Sequence, residues 1–132
     1  MAVVDASVVV TVLIRGQYAD WAEQQLSAGR SLWAPHLIDA EVGHALRRRV
    51  AALKLRDDRA SAALVELAGL PLRRMVHTGL LDRAWRLRHN LSFYDGIYVA
   101  LAEALEVPLV TLDRRLVRAV GDASKVTVLT GP

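Results

Sequence analysis

Cysteine is absent from this chain of 132 residues. Its absence excludes disulfide bonds, zinc sites built from thiolates, and a cysteine nucleophile. Any metal ion that the protein binds must therefore be held by oxygen atoms or by imidazole nitrogens. No uncharged run approaches the roughly 20 residues of a membrane span, so we expect no transmembrane segment and no membrane partner.

The N-terminal stretch is apolar but does not have the pattern of a secretory signal. MAVVDASVVVTVLIRG has no basic residue at its start, carries Asp5 within the apolar run, and offers no convincing cleavage site of small residues. We interpret it as the first strand and helix of a cytoplasmic protein. A chain of this length usually forms one domain, so we expect a single domain over residues 1–132.

Lysine is scarce, because only Lys54 and Lys125 are lysines among the 17 basic residues. The chain also has 14 acidic residues. If some of these acids gather at one site, the rest of the surface carries a clear excess of arginine. Such a surface suits a polyanionic partner. A bias of the genome's base composition towards Ala, Val, Leu and Arg codons would produce the same excess.

The apolar pattern alternates short β-branched runs with longer helical periods. We predict strands at 2–5, 31–35, 71–76, 107–112 and 125–129. We predict helices at 7–14, 18–28, 36–54, 57–68, 79–89, 93–106 and 114–120. Strands separated by helices favour right-handed crossovers, so we expect an α/β fold with a five-stranded parallel sheet flanked by about seven helices.

Four carboxylates lie at strand ends or near the starts of predicted helices: Asp5, Glu41, Asp95 and Asp113. Asp5 ends the first strand, Asp113 follows the fourth, and Asp95 lies in the first turn of its helix. Glu41 lies on the apolar stripe of its own helix. Because the working crevice of a parallel sheet is at the carboxyl ends of its strands, we expect the four side chains to meet at one edge.

Each acid except Glu41 also has a structural explanation. Ser92 and Asp95 have the spacing of a capping box, and the helix dipole favours an acid in a first turn. Asp113 could cap the helix that follows it, and Asp5 could form a local turn. Capping does not explain Glu41, because a lone carboxylate on the apolar side of a second turn is costly without a partner.

The joint placement of these acids indicates a metal site. Separate caps need not converge, whereas a hard cation such as Mg²⁺ or Mn²⁺ requires several oxygens around one point. One or two ions are compatible with the acids. Without metal the carboxylates repel one another, so we expect raised pKa values and release of protons on metal binding. A metal held in this way suits hydrolysis of a phosphodiester.

Four segments together carry a resemblance to a known family. They are VVDASVVV at 3–10, PHLIDAEVGHAL at 35–46, LSFYDGIYVALAEAL at 91–105 and LVTLDRRL at 109–116. Over essentially its full length the chain resembles the PIN-domain ribonucleases, and within them the VapC-type toxins of bacterial toxin–antitoxin pairs. The four segments are specific as a set, whereas VTLDRRL alone would not be.

The resemblance implies roles for individual residues. Metal binding and catalysis are implied for Asp5, Glu41, Asp95 and Asp113, and support of the site for Ser7 and Thr111. It also implies an RNA substrate, Mg²⁺ or Mn²⁺, a homodimer, and a cognate antitoxin whose segment lies in the active-site groove. Whether the dimer pairs again in the toxin–antitoxin complex stays open. His44 and Gly96 differ from the commonest family pattern, and we expect both to affect substrate fit more than catalysis.

Arginines flank two of the four acids. They are Arg47, Arg48 and Arg49 after Glu41, and Arg114 and Arg115 after Asp113. We expect the first group to meet RNA phosphates or antitoxin carboxylates through bidentate contacts, and the second to meet substrate near the metal. A solvated helix end also explains the first group. The four histidines have no metal-ligand spacing and are interpreted as structural or surface residues.

Other classes of protein fit the sequence less well. A PIN-like module that binds RNA or a partner without cleaving it is the main alternative, but it would be free to lose the acids. A receiver domain needs adjacent acids after its first strand, where Asp5 stands alone. A haloacid-dehalogenase-type phosphatase needs a second Asp where Ser7 stands. The chain has no glycine-rich phosphate loop.

Overall fold

The computed structural model describes residues 1–132 and has the predicted α/β architecture. Its strands are β1 (Ala2–Val4), β2 (Leu32–Pro35), β3 (Leu72–Met75), β4 (Leu109–Thr111) and β5 (Val128–Thr130). Its α-helices are α1 (Ala6–Ile14), α2 (Ala19–Ser27), α3 (Leu37–Ala51), α4 (Asp57–Gly69), α5 (Leu81–Arg86), α6 (Phe93–Leu105) and α7 (Arg114–Val120). A 3₁₀ turn, Thr78–Leu80, precedes α5. The five strands and seven α-helices confirm the predicted class.

The five strands form one parallel sheet in the order β3-β2-β1-β4-β5. The chain therefore builds outwards from β1 on one side and then crosses to β4 on the other. Val3 of β1 lies opposite Trp33 of β2 and Leu109 of β4. A reversal of strand order leaves a crevice between the carboxyl ends of the two strands concerned, here β1 and β4.

The central strand β1 is covered on both faces. Successive side chains of a strand point to opposite faces, and all three residues of β1 are fully buried. The helix α6 contacts β1, β2 and β4, and its residues from 96 to 102 are all buried. A helix that is apolar on all sides belongs in a core. These two elements therefore form the buried base of the crevice.

Some predicted boundaries differ from the observed ones. The predicted helix 79–89 is divided into the 3₁₀ turn and the shorter α5, because Gly79 is a poor helix former and residues 87–90 form turns. The helix α3 ends at Ala51, ahead of Leu53, which has a positive φ of 58°. The last strand begins at Val128 instead of residue 125. No helix combines the length and the apolar character that a membrane span needs.

Gly96 allows α5 and α6 to pack closely. A Cβ atom at this position would lie 3.1 Å from the carbonyl oxygen of Ala84 and 3.3 Å from its Cα. The residue is buried against α5 and is not part of the crevice. The structure thus gives Gly96 a role in helix packing, in place of the expected role in substrate fit.

Candidate active site

A pocket of about 640 Å³ opens at the carboxyl ends of β1 and β4, and its lining includes all four predicted acids, Asp5, Glu41, Asp95 and Asp113. We call it the acidic pocket. The other polar residues that line it are Ser7, Thr11, His44, Arg48, Arg49, Tyr94 and Tyr98. A larger cavity of about 810 Å³ lies between the end of α6 and residues 121–127, and none of the four acids lines it. The acidic pocket is therefore the place where the candidate chemistry gathers.

Asp5 is fixed at the floor of the pocket by hydrogen bonds. It is the N-cap of α1, where its Oδ1 accepts from the backbone N–H groups of Ser7 at 3.1 Å and Val8 at 3.4 Å. The Ser7 hydroxyl also donates to Oδ1, and the Thr111 hydroxyl donates to Oδ2. Asp5 is only 7% exposed. The carboxylate is thus held at a defined position and orientation.

The hydroxyl groups of Ser7 and Thr111 each accept one hydrogen bond and donate another. Ser7 Oγ accepts from the backbone N–H of Leu112 at 2.9 Å, and Thr111 Oγ1 accepts from that of Asp113 at 2.9 Å. Each hydroxyl has a single proton to donate, and each donates it to Asp5. Both residues therefore hold Asp5 in place, Ser7 from the start of α1 and Thr111 from the end of β4.

Burial raises the pKa of Asp5 to about 6, and hydrogen bonds from Ser7, Thr111 and Val8 offset part of that rise. The negative charge of Asp95 raises it further. A carboxylate with this pKa holds a proton more readily than an exposed one. A cation in the pocket would displace that proton and favour the ionised form.

Two of the other acids lie at helix N-termini, where Asp113 is itself a cap and Asp95 is capped by another residue. Asp113 is the N-cap of α7, and its Oδ1 accepts from the backbone N–H groups of Arg115 at 2.9 Å and Leu116 at 3.4 Å. The N–H of Asp95 donates to the Ser92 hydroxyl at 3.1 Å, so Ser92 caps α6. Capping and the shared pocket therefore coexist, and each cap serves to aim a carboxylate.

Glu41 reaches the pocket from α3 and meets Tyr98 of α6. Its Oε1 atom is buried without a hydrogen-bond partner, and so is the hydroxyl oxygen of Tyr98. Burial raises the pKa of Glu41, the nearby Tyr98 hydroxyl lowers it, and the charge of Asp95 raises it. The two groups are therefore close enough to influence each other, although they are not in hydrogen-bonding geometry.

Asp95 is the common neighbour of the other three acids. Its charge raises the pKa of both Asp5 and Glu41. Its own pKa is raised by burial and by the charge of Asp113, while Ser92 and Arg115 lower it. The four carboxylates thus form one repelling set whose members are linked through Asp95.

The residues of the acidic pocket fit a hard divalent cation. All four acids line the pocket and supply oxygen, the ligand atom that such an ion prefers. No three acidic or histidine side chains are already gathered closely enough to ligate one ion directly. Mg²⁺ takes only one or two carboxylates directly and keeps several waters, so an open arrangement of acids suits it.

The predicted arginines divide into two groups. Arg48 and Arg49 line the acidic pocket, whereas Arg47 lies in a separate groove with Leu46 and Asp57. Arg115 Nε lies 3.7 Å from Asp113 Oδ1, although Arg115 does not line the pocket.

Arg114 turns away from the acids. Its Nη2 atom donates to the carbonyl oxygen of Pro132 at 2.6 Å. The structure therefore brings Arg48 and Arg49 to the pocket and Arg115 to Asp113, and it leaves Arg47 and Arg114 outside the site.

Tyr98, Tyr94 and Thr11 line the pocket but were not anticipated from the sequence. The signal for Tyr98 is its place three residues after Asp95, which puts both on one face of α6. The same spacing relates His44 to Glu41 on α3, and His44 also lines the pocket. In an apolar helix such as α6, an aromatic residue is most simply interpreted as core, so the spacing alone does not single Tyr98 out.

Solved structures share this fold. VapC20 of Mycobacterium tuberculosis, described as a sarcin–ricin loop cleaving toxin, superposes with a TM-score of 0.70 at 20% identity, over 90% of this chain and 95% of that one. A toxin–antitoxin complex from Klebsiella pneumoniae superposes with a TM-score of 0.64 at 19% identity, over 98% and 97%. At these identities the likeness establishes the fold.

Sequence comparison establishes the family. The family model of the PIN domain matches residues 2–122. Ribonuclease VapC1 of Mycobacterium tuberculosis is 54% identical over 89 residues, which is 67% of each chain. Ribonuclease VapC9 of the same species is 42% identical over 116 residues, which is 88% of each chain. The chain therefore belongs to the PIN-domain family and, within it, to the VapC ribonucleases.

Proposed function

We propose that this protein is an endoribonuclease that uses Mg²⁺ or Mn²⁺ to hydrolyse RNA phosphodiester bonds, and that it is the toxin of a toxin–antitoxin pair. The observation that carries the proposal is the set of four carboxylates that line one pocket and repel one another. Membership of the VapC ribonucleases supplies the substrate class. Residues 1–132 would form one PIN domain.

The acids have distinct tasks in this proposal. Asp5, Glu41, Asp95 and Asp113 would hold one or two ions, with Ser7 and Thr111 keeping the Asp5 carboxylate in place. A bound divalent ion would supply positive charge for the phosphodiester and would lower the pKa of a bound water. Asp95 interacts electrostatically with each of the other three acids, so its loss should change the charge of the whole site.

Positive side chains at the pocket would hold the RNA backbone. Arg48 and Arg49 line the pocket and form no salt bridge with its acids. Arg115 lies beside Asp113 and is exposed. An arginine fork can bind two phosphate oxygens at once. Arg47 and Arg114 would contribute less, because they lie outside the pocket.

A cognate antitoxin is proposed as the protein partner. Proteins of similar fold have been solved in toxin–antitoxin complexes, including one from Klebsiella pneumoniae. An antitoxin segment that occupied the acidic pocket would keep both metal and RNA away from the acids. We further propose that the protein is a homodimer in the cytoplasm, where RNA and antitoxin are both present.

The proposal is tested by incubating the antitoxin-free protein with total cellular RNA. Separate reactions contain Mg²⁺, Mn²⁺ or EDTA, and each is repeated with Asp5→Asn. We expect discrete cuts that require metal and disappear in the variant. RNA binding without cuts, unchanged by metal or by the substitution, would instead identify a PIN-like binding module.

A further inference from the structure

Two buried polar atoms at the base of the acidic pocket lack partners. Tyr98 OH and Glu41 Oε1 are both buried, and neither makes a hydrogen bond. Tyr98 is 1% exposed and lines the pocket together with Glu41. One atom belongs to a hydroxyl that can donate a proton, and the other to a carboxylate that can accept one. A potential hydrogen-bond donor and a potential acceptor thus lie close together without forming a hydrogen bond.

A role in packing does not account for the hydroxyl. Buried polar groups are nearly always paired, because an unpaired one carries a desolvation cost that a phenylalanine would avoid. The ring of Tyr98 packs among core residues of α6 and the sheet, where Phe would fill the same space. The phenolic oxygen therefore bears a desolvation cost that the packing of the ring does not offset.

The charges around Tyr98 fix its protonation state. Burial and the charges of Glu41, Asp5 and Asp95 raise the pKa of Tyr98 far above its usual range. The hydroxyl therefore keeps its proton at every physiological pH. Of the three acids, Glu41 raises the pKa of Tyr98 the most.

We propose that Tyr98 is a positioning residue for Glu41, which donates its hydroxyl proton to Glu41 Oε1 when a divalent ion occupies the acidic pocket. The inference rests on the proposed function, because it concerns the metal-loaded site. Oε1 is the buried oxygen of Glu41, so Oε2 is left to face the pocket and the ion. The hydrogen bond would link α6 to α3 and hold Glu41 in the rotamer that metal binding requires.

This role predicts that metal-free stability and metal affinity respond differently to loss of the Tyr98 hydroxyl. Tyr98→Phe removes an unpaired buried hydroxyl, so the metal-free variant should unfold at the same temperature as the wild type or at a higher one. The same change removes the donor to a metal ligand, and such losses typically lower metal affinity by about 10-fold to 100-fold. Loss of a hydroxyl with a purely structural role would not weaken metal binding while leaving the metal-free stability intact.

The experiment compares the full-length wild type with Tyr98→Phe. Mn²⁺ affinity is measured by isothermal titration calorimetry, and thermal unfolding is measured in EDTA. Tyr18→Phe is the matched control, because it removes a phenolic hydroxyl that is exposed and outside the pocket. A double-mutant cycle with Glu41→Gln shows whether the hydroxyl acts through Glu41.

We expect Tyr98→Phe to bind Mn²⁺ about 10-fold more weakly without loss of metal-free stability, and to have no further effect in the Glu41→Gln background. Tyr18→Phe should match the wild type. An affinity within twofold of the wild type would overturn the inference, as would an equal loss in both backgrounds. A wild type that binds no Mn²⁺ would instead overturn the proposed function, and the inference with it.

Discussion

Thr111 Oγ1 donates a hydrogen bond to Asp5 Oδ2 across 106 residues of sequence. This contact joins the ends of β4 and β1, the two strands between which the order of the sheet reverses. Thr111 is fully buried, and its oxygen also accepts from the backbone N–H of Asp113. One hydroxyl therefore holds the carboxylate of Asp5 and the backbone of Asp113, two of the four acids in the pocket.

Replacing Thr111 by valine should destabilise the protein and disorder the site. The substitution keeps the shape but leaves Asp5 Oδ2 without its donor and the Asp113 N–H without its acceptor, at a cost of about 1–3 kcal/mol. Chemical denaturation measures the loss. Thr130→Val is the control, since Thr130 lies opposite Thr111 on β5 and is exposed. Equal stabilities for the two variants would contradict the role given to Thr111.

The stability of the metal-free protein should depend on pH through Asp5. Folding raises the pKa of Asp5 from 3.8 to about 6, so in this interval the folded state binds more protons than the unfolded state. Stability contributed by protonated Asp5 is therefore lost as pH rises, by about 1 to 2 kcal/mol between pH 5 and 7.5.

Denaturation in EDTA at these two pH values isolates the contribution of Asp5. The free energy of unfolding of Asp5→Asn is subtracted from that of the wild type at each pH, which cancels the other titrating groups. The free energy of unfolding of the wild type should fall relative to that of Asp5→Asn as pH rises. A difference that is independent of pH would show that Asp5 has an ordinary pKa in the folded protein.

The sequence was informative about the acids and less so about the residues around them. Glu41 was identified because a carboxylate on an apolar helical stripe conflicts with its surroundings, and the structure gives that position a buried acceptor. Tyr98 causes no such conflict in an apolar helix, so only its three-residue spacing from Asp95 could have indicated its place. Whether its hydroxyl finds a partner depends on α3, which is distant in sequence.

Neighbouring arginines also could not be separated by sequence. Successive helical residues differ by about 100° in direction, which places Arg48 in the acidic pocket and Arg47 outside it. Likewise, Arg115 stays beside Asp113, whereas Arg114 reaches the C-terminal carbonyl. The strand order of the sheet and the orientation of each helix about its axis determine which arginines reach the pocket. Both depend on tertiary packing.

The division of the arginines predicts different effects on RNA. Arg48→Ala should raise KM for RNA by about 10-fold with a smaller change in kcat, because a contact to a phosphate away from the reacting bond contributes mainly to binding. It should also reduce the dependence of binding on salt. Arg47→Ala, at the adjacent position outside the pocket, is the matched control. Equal effects of the two substitutions would show that helix charge alone attracts the RNA.

Two glycines inside helices should respond oppositely to alanine. Gly43 of α3 has open space where the methyl group of an alanine would lie, so Gly43→Ala should raise stability by about 0.5–1 kcal/mol through helix propensity. Gly96→Ala would place its methyl 3.1 Å from a backbone oxygen of α5 and should lower stability by about 1 kcal/mol or more. Thermal unfolding of both variants decides the matter, and a stabilised Gly96→Ala would show that α5 moves freely.

The central claim is that the four acids act together through a metal ion in RNA cleavage, and Asp95 tests it most directly. The measurement is the single-turnover cleavage rate of an RNA substrate at saturating Mn²⁺ for Asp95→Asn and for Asp20→Asn. Both residues are acids in the first turn of a helix, but Asp20 is exposed and lies outside the pocket. We predict a loss of about 10²–10³-fold for Asp95→Asn, the size usual for removing one group that stabilises charge in a transition state, and a wild-type rate for Asp20→Asn. Wild-type cleavage by Asp95→Asn would contradict the account.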